Sequence, residues 1–275
     1  MHSHWITITA LVSVLATPAL QAQTDYYNTD TGRPVQIEDA YATERYAFEF
    51  KVPSIQLERA NGGTYSWGLE PEIGYGIAPR TSVEISLPLA YREAGGRGSS
   101  SGVAGLELSV FHNLNMETQS FPAFGLRADV VLPVGRLGPE RTYTSAKAIM
   151  TRTFSRARLH VNGQYTFGAS PDNPRSGTES GAREISRWLT GVAIDRTFPL
   201  KSTLLIADLY ARQPIDESED ADFNLGTGIR YQVSPSFLLD GGVGRRLNGP
   251  DQGWAATFSA TYAFALRSLF PVNGR

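Results

Sequence analysis

The sequence predicts an all-β protein: a single closed 12-stranded antiparallel transmembrane β-barrel behind an N-terminal signal peptide. Three observations lead there. Apolar and polar residues alternate with period 2 in segment after segment. The connections between those segments alternate between long and short. Beyond the N-terminus, no stretch approaches the ~18 consecutive apolar residues a helix needs to cross a bilayer. The 12 Tyr, 13 Phe, 4 Trp and 27 Gly in 275 residues favour strands and turns over a helical bundle. One domain is expected, because barrels of this length form single units.

The chain opens with MHSHWITITALVSVLATPALQAQ. Its apolar run from Trp5 to Ala16, followed by Thr17-Pro18 and small residues up to Ala22, matches a secretory signal peptide over residues 1–22, too short to span a bilayer. Residues 23–43 are too polar and too short to be a domain. They are expected to form a periplasmic strap or disordered tail, or to fold into the lumen as a plug in which Asp30, Arg33, Glu38 and Asp39 meet lumen charges.

The barrel is placed at 44–264, with a tail over 265–275. Tyr46, Phe48, Phe50 and Val52 alternate with Arg45, Glu49 and Lys51, and Trp67, Leu69, Ile73 and Tyr75 with Ser66, Glu70 and Glu72. The next strands set Val83, Ile85 and Leu87 against Glu84, then Leu106, Leu108 and Val110 against Glu107, then Leu126, Ala128 and Val130 against Arg127 and Asp129. TSAKAIMTRTF (144–154) is ambiguous in phase, with Lys147 assigned to the polar side. In the second half, Leu159, Val161 and Tyr165 oppose Arg158, His160 and Asn162, while Trp188, Val192 and Ile194 oppose Arg187 and Asp195. Leu205 and Leu209 oppose Asp208, Leu225 and Ile229 oppose Arg230, and Leu239 and Val243 oppose Asp240 and Arg246. GWAATFSATYAF (253–264) closes the sheet, with bulky residues on one side only.

Connections expected at 53–64, 92–101, 134–143, 168–184 and 213–221 are long, that at 114–121 is moderate, and those at 76–80, 155–156, 197–201, 234–235 and, as the one exception to the alternation, 248–252 are short. That asymmetry suits a barrel with tight periplasmic turns and longer outer loops. EAGGRGSSSG and ASPDNPRSGTESG are polar, glycine-rich tips suited to water. The physical reason is that hydrocarbon leaves backbone groups no partner but each other, so a spanning sheet has to close. Closure turns alternate side chains outward to lipid and inward to a lumen. Trp67, Tyr75, Trp188, Trp254, Tyr262 and Phe264 then form the aromatic girdles at the two interfaces. A soluble two-sheet sandwich is the alternative fold.

The inward charges are uneven. An acidic arc of Glu49, Glu70, Glu72, Glu84 and Glu107 is set against a mainly basic arc of Arg127, Lys147, Arg158 and Arg187, with Asp129 and Asp195 among the latter. Asp208, Arg230, Asp240 and Arg246 complete the lumen candidates, together with His160. Facing arcs of opposite sign would orient polar solutes in a pore; the same charges paired across a narrow barrel would fill it.

Five stretches carry a family resemblance: DTGRPVQIEDAYATERYAFEF (30–50), GYGIAPRTSVEISLPLAY (74–91), TFSRARLHVNGQY (153–165), LGTGIRYQVSPSFLLDGGVGRRL (225–247) and the closing GWAATFSATYAF. With them the chain resembles a family of Gram-negative outer-membrane barrels described as transporters of a meta-pathway of phenol degradation. The resemblance covers essentially the whole mature chain. It implies export to the outer membrane, contact with lipid and with the barrel-assembly machinery, and passage of a small, hydrophobic or aromatic solute. The tail ALRSLFPVNGR departs from a family pattern that ends on an aromatic residue, a role left to Phe264 or Phe270.

Other chemistries find little support. A net charge of −2 gives no basic surface for nucleic acid, and the absence of cysteine excludes disulfides, thiolate metal sites and a cysteine nucleophile. No glycine-rich phosphate loop opens a helix, and two histidines on distant strands, His112 and His160, make no metal site, so no cofactor is expected. LHVNG (159–163) resembles the His-x-Ser-Asn-Gly stretch of outer-membrane phospholipase A, but Val161 stands where the nucleophilic serine would. A channel is therefore the first expectation, a plugged structural or sensing barrel the second, and a lipid-active hydrolase the third.

Overall fold

The computed structural model describes residues 27–59, 65–93, 98–172, 185–197, 201–248, 252–266 and 269. The expected signal peptide, the first residues of the leader and most of the tail lie outside these. The strand segments are β1 (Ala47–Arg59), β2 (Tyr65–Ala78), β3 (Thr81–Ser86), β4 (Leu89–Glu93), β5 (Ser99–Val103), β6 (Leu106–Asn115) and β7 (Ala123–Leu132). They continue with β8 (Tyr143–Thr153), β9 (Arg158–Phe167), β10 (Ser186–Thr197), β11 (Thr203–Pro214), β12 (Asp222–Ser234), β13 (Phe237–Arg246) and β14 (Trp254–Ala265). Among the described residues, no helix is long and apolar enough to cross a membrane.

These segments make a closed barrel of twelve antiparallel staves. β3 and β4 both pair with β2 and form one stave interrupted at Leu87-Pro88, while β5 and β6 form the next, interrupted at Ala104-Gly105. Pro88 has no N–H to give the ladder, and Gly105 takes a positive φ of 120° that suits glycine. Leu87 N donating to Pro71 O (3.1 Å) and Ala104 N donating to Pro88 O (2.8 Å) keep the wall bonded through both breaks. Closure comes from β1 against β14, running from Phe48 opposite Phe264 to Arg59 opposite Trp254.

Two boundaries differ from expectation: the end of β1, and the start of β5 at Ser99 inside the connection expected at 92–101. β1 does not stop at Val52 but runs on to Arg59 through a register shift between Val52 and Ile55. Pro53 cannot donate to the ladder, and the bulge that accommodates it resets the alternation, so Ile55 and Leu57 take over the outward side. The first connection is therefore 60–64 rather than 53–64. The connection at 94–98 is also shorter than that at 116–122, so the loop asymmetry is less regular than the sequence suggested.

The distribution of polarity is inverted relative to a water-soluble fold. Phe50, Ile73, Leu126, Val192, Leu209, Leu225 and Phe258 face outward and are exposed, while Lys51, Glu72, Arg127, Lys147, Asp195 and Arg230 are buried inside. Water would not hold that many large apolar side chains on one continuous outer band; lipid does. Trp67, Trp188 and Trp254 lie near the loop end, Trp67 stacking on Tyr91. Tyr75 and Phe264 stack on Phe48 at the turn end, beside Tyr262.

Phe258→Arg and Leu126→Arg, at outward positions 55% and 49% exposed, should each lower the stability of the barrel in lipid vesicles by about 2–4 kcal/mol. Reversible urea unfolding followed by tryptophan fluorescence measures this. An unchanged midpoint for both would mean that water bathes these positions.

Candidate functional site in the barrel lumen

The lumen is occupied by the chain's own leader. Tyr27 lies at the turn end, its carbonyl accepting from Arg158 at the start of β9. The chain climbs through a turn in which Arg33 N donates to Asp30 O (3.0 Å) and Gly32 takes a φ of 75°. Its upper part, Pro34 to Ile37, lies against β11–β14: Thr257 Oγ1 donates to Pro34 O (3.2 Å), and the amides of Gln36 and Ile37 donate to Asp208 (2.8 and 3.2 Å). On its way down, Glu38 exchanges hydrogen bonds with Asn162, and Ala40 is held by Thr151 and Asn113. It rejoins the wall where Tyr46 N donates to Gly76 O (2.7 Å).

Small inward residues make this possible. A Cβ at Gly242 would collide with the Pro34 carbonyl, and one at Gly76 with the Glu44 carbonyl. The inward Ala255, Thr257, Ser259 and Thr261 of β14 leave the remaining room. Two apolar clusters weld leader to wall: Val35 and Ile37 with Leu189, Ala193, Ile206 and Tyr210, and Ala40 with Phe111, Ala123 and Ile149.

The charges pair through the leader instead of facing one another across open space. Arg33 bonds Glu72, which also receives Lys51 (2.7 Å). Lys51 reaches Asp30 (2.9 Å), and Arg230 lies between Asp240 and Asp30. Glu38 receives Lys147 (2.6 Å) with Arg127 at 3.6 Å, while Arg127 also holds Glu84 (2.8 Å) and Asp129 (2.7 Å). Arg158 holds Asp195 (2.7 Å) and stands 3.7 Å from Asp39. The remaining candidates are tied to their surroundings: Glu49 to Thr43, Glu70 to Ser86, Glu107 to Ser109, Arg187 to the carbonyls of Thr166 and Gly168, and Arg246 to Asp222. Lys51, Asn113 and Thr151 are lumen contacts the candidate residues did not include. Lys51 had a signal, its alternation with Glu49; the other two are neutral residues that only a docked leader makes important.

His160 bridges Thr151 Oγ1 and Asp195 Oδ2, both at 2.9 Å. This hydroxyl–imidazole–carboxylate row is fully buried, and its hydroxyl already accepts the Ala40 amide, so in the docked state it serves as a support. Among the described residues no group of three or more His, Asp or Glu is arranged to hold a metal ion.

Above the leader a cavity of about 480 Å³ opens toward the loop end. Thr31, Gly32, Pro34, Val35 and Gln36 floor it; Glu58, Arg92, Lys147, Gln164, Asp208, Arg212, Asn224 and Arg246 line its polar walls, with Leu189 and Tyr210 as an apolar patch. Below, between leader and turn-end wall, lies a space of only about 20 Å³ near Asp30, Glu49, Glu84 and Arg230. The lumen is thus a vestibule with a floor.

Burial pushes the Asp39 carboxyl up to about 8, against Arg158 and the amides of Thr29 and Tyr41, with nearby Asp195 adding to the rise. Burial also opposes ionisation of Asp30, but Lys51, Arg230 and Arg33 outweigh it and hold that carboxyl at about 2. A carboxyl that binds its proton more tightly docked than free favours docking at low pH, so Asp39 weakens docking as pH climbs from its ordinary value toward about 8. Asp30 has the opposite sign: its contribution is present above the ordinary carboxylate value and is lost as pH falls toward 2. Cleavage of the leader by added protease should therefore quicken between about pH 5 and about pH 8. Asp39→Asn should flatten that rise, and a rise of the same size in the variant would remove Asp39 as its source.

The family described as "Putative MetA-pathway of phenol degradation" matches residues 31–264. Among solved structures, an outer membrane channel from Pseudomonas putida F1 aligns over 82% of this chain and 98% of its own, with 17% identity and a TM-score of 0.59. A KdgM porin in complex with disordered oligogalacturonate aligns over 78% and 98%, with 11% identity and a TM-score of 0.52. At these identities the likeness is one of fold. No curated protein matches the sequence.

Proposed function

The chain belongs to this phenol-degradation family of barrels, and we propose that it is a small-molecule channel of the Gram-negative outer membrane whose leader is a displaceable gate. The observation that carries this reading is the vestibule of about 480 Å³ that ends on Thr31–Gln36 and not on the barrel wall. The solved barrels of the same fold are a channel and a porin, which supports passage as the role of this architecture. The solute class follows from the walls. A patch formed by Val35, Leu189 and Tyr210 stands beside charged groups, so the favoured solute combines an apolar or aromatic face with polar substituents. No catalytic step enters this reading.

The gate reading depends on how the leader is held. Its contacts are ion pairs and hydrogen bonds to the wall with two small apolar clusters, and both kinds can be exchanged for water or solute without breaking a ladder bond. A second reading, a plugged barrel with a sensing or structural role, is favoured by the burial of Arg33, Glu38 and Asp39 against wall groups of opposite charge. Planar bilayers separate the two. Wild-type protein should give low, intermittent conductance. Deletion of residues 27–43 should give steady open channels several-fold larger. Gly242→Leu, which pushes on the Pro34 carbonyl, should fall between them. A deletion variant that folds and stays electrically silent would favour the sensing barrel and remove the gate.

A further inference from the structure

Given the gate reading, we infer that the wall groups gripping Gln36, Ile37 and Glu38 form a solute subsite for a small organic anion. Such a molecule carries one carboxylate and hydroxyl or amine donors, and it opens the channel by taking the place of Glu38 on Lys147. Partner by partner, the lumen cations differ in what they lose when the leader leaves. Arg127 keeps Glu84 and Asp129, Arg158 keeps Asp195, Arg230 keeps Asp240, and Lys51 keeps Glu72. Lys147 keeps none of its partners: Glu38 Oε1 at 2.6 Å and Thr31 Oγ1 at 2.8 Å both belong to the leader. Opposite it on the adjacent strands stand Arg127 and Gln164, a second cation and a neutral amide.

Departure of the leader thus uncovers Lys147, 3% exposed while docked, and leaves it without either partner beside the cation Arg127. Water entering the lumen screens this excess without cancelling it, and an anion drawn into that field lowers the free energy of the undocked state. The other ligands of the same three residues define the rest of the molecule. Asp208 Oδ2 accepts two amides of the leader, so it asks for donors, and its own charge disfavours a second carboxylate nearby. Asn162 gives and takes one bond each. Three consecutive residues span roughly 10 Å, which sets the size of the occupant. Lys147, Gln164 and Asp208 also line the vestibule, so a solute arriving from the loop end meets them before the leader has moved.

The test uses the full chain in liposomes with Ala40→Cys as its sole thiol, the natural sequence having none. Ala40 belongs to the leader and is fully buried against the wall while the leader is docked. Labelling by a water-soluble maleimide therefore reads release, with gluconate as probe, sorbitol as the same polyol without charge, and propionate as a carboxylate without hydroxyls. Saturating gluconate should speed labelling about tenfold; sorbitol should leave it within about twofold, and propionate should act only weakly. Lys147→Gln should label faster without solute and lose the response to gluconate, whereas Lys147→Arg should keep it. Glu38→Gln, which removes the competitor, should lower the gluconate concentration for half effect; an upward shift overturns the subsite. Equal responses to sorbitol and gluconate, or a gluconate response that survives in Lys147→Gln, also overturn it while leaving the gate intact. If instead the thiol stays unlabelled in every variant and the 27–43 deletion conducts no current, the gate itself fails and the subsite with it.

Discussion

In hydrocarbon, a backbone N–H or C=O without a partner costs several kcal/mol, and the rest of this molecule depends on that penalty. Pairing β1 with β14 removes the last free edge of the sheet. Once the sheet is closed, the two sides of every strand face different media, and each side chain is committed to lipid or lumen by its parity alone. The wall is bonded even where the ladder is interrupted: Leu87 and Ala104 donate to the carbonyls of Pro71 and Pro88 at the two broken staves. Proline is tolerated there because the neighbouring strand supplies an acceptor and asks for no donor.

Closure creates the second problem, which is what to do with a polar interior. An empty lumen of this width would leave Lys147 without an anion, while a permanently filled one would be no path. The leader is an intermediate solution. It is covalently part of the chain, so it is present at high effective concentration, yet it is bonded to the wall side chain by side chain instead of as a thirteenth strand. Its charges interleave with those of the wall: Arg33 complements Glu72, and Glu38 complements Lys147. The leader therefore works as a counter-charge for the lumen as well as an obstruction, which makes its replacement by a charged solute physically sensible. The vestibule above it and the small space below it divide the interior into a side that can receive molecules and a side that is tightly packed.

Much of the fold was legible from residue order alone. Period-2 alternation marks lipid-facing and lumen-facing residues without knowledge of which strands pair, because pleating ties parity to side. The phases of Glu72, Arg127, His160 and Arg230 could be read this way, whereas Lys147 lies on a segment whose phase the sequence leaves ambiguous. The second half of β1 could not, because Pro53 shifts the parity through a bulge that looks like a loop in the sequence. The interruption at Leu87-Pro88 was hidden for the complementary reason: apolar alternation continues across it, and only the hydrogen bonds show the break, whereas β5 was missed because its Ser-Ser-Ser-Gly run carries no alternation.

By itself, then, the sequence determined a closed barrel, its strand phases and the polarity of its two faces, since each follows from local periodicity under a single solvent constraint. Which charge meets which was decided only in three dimensions. Glu38 and Lys147, or Asp208 and the amides of Gln36 and Ile37, lie on segments more than a hundred residues apart that no local pattern links. The path of the leader belongs to the same category: it depends on the shape left by Gly228, Gly242 and Thr257 on different strands, and a cavity's shape exists only after the walls have come together.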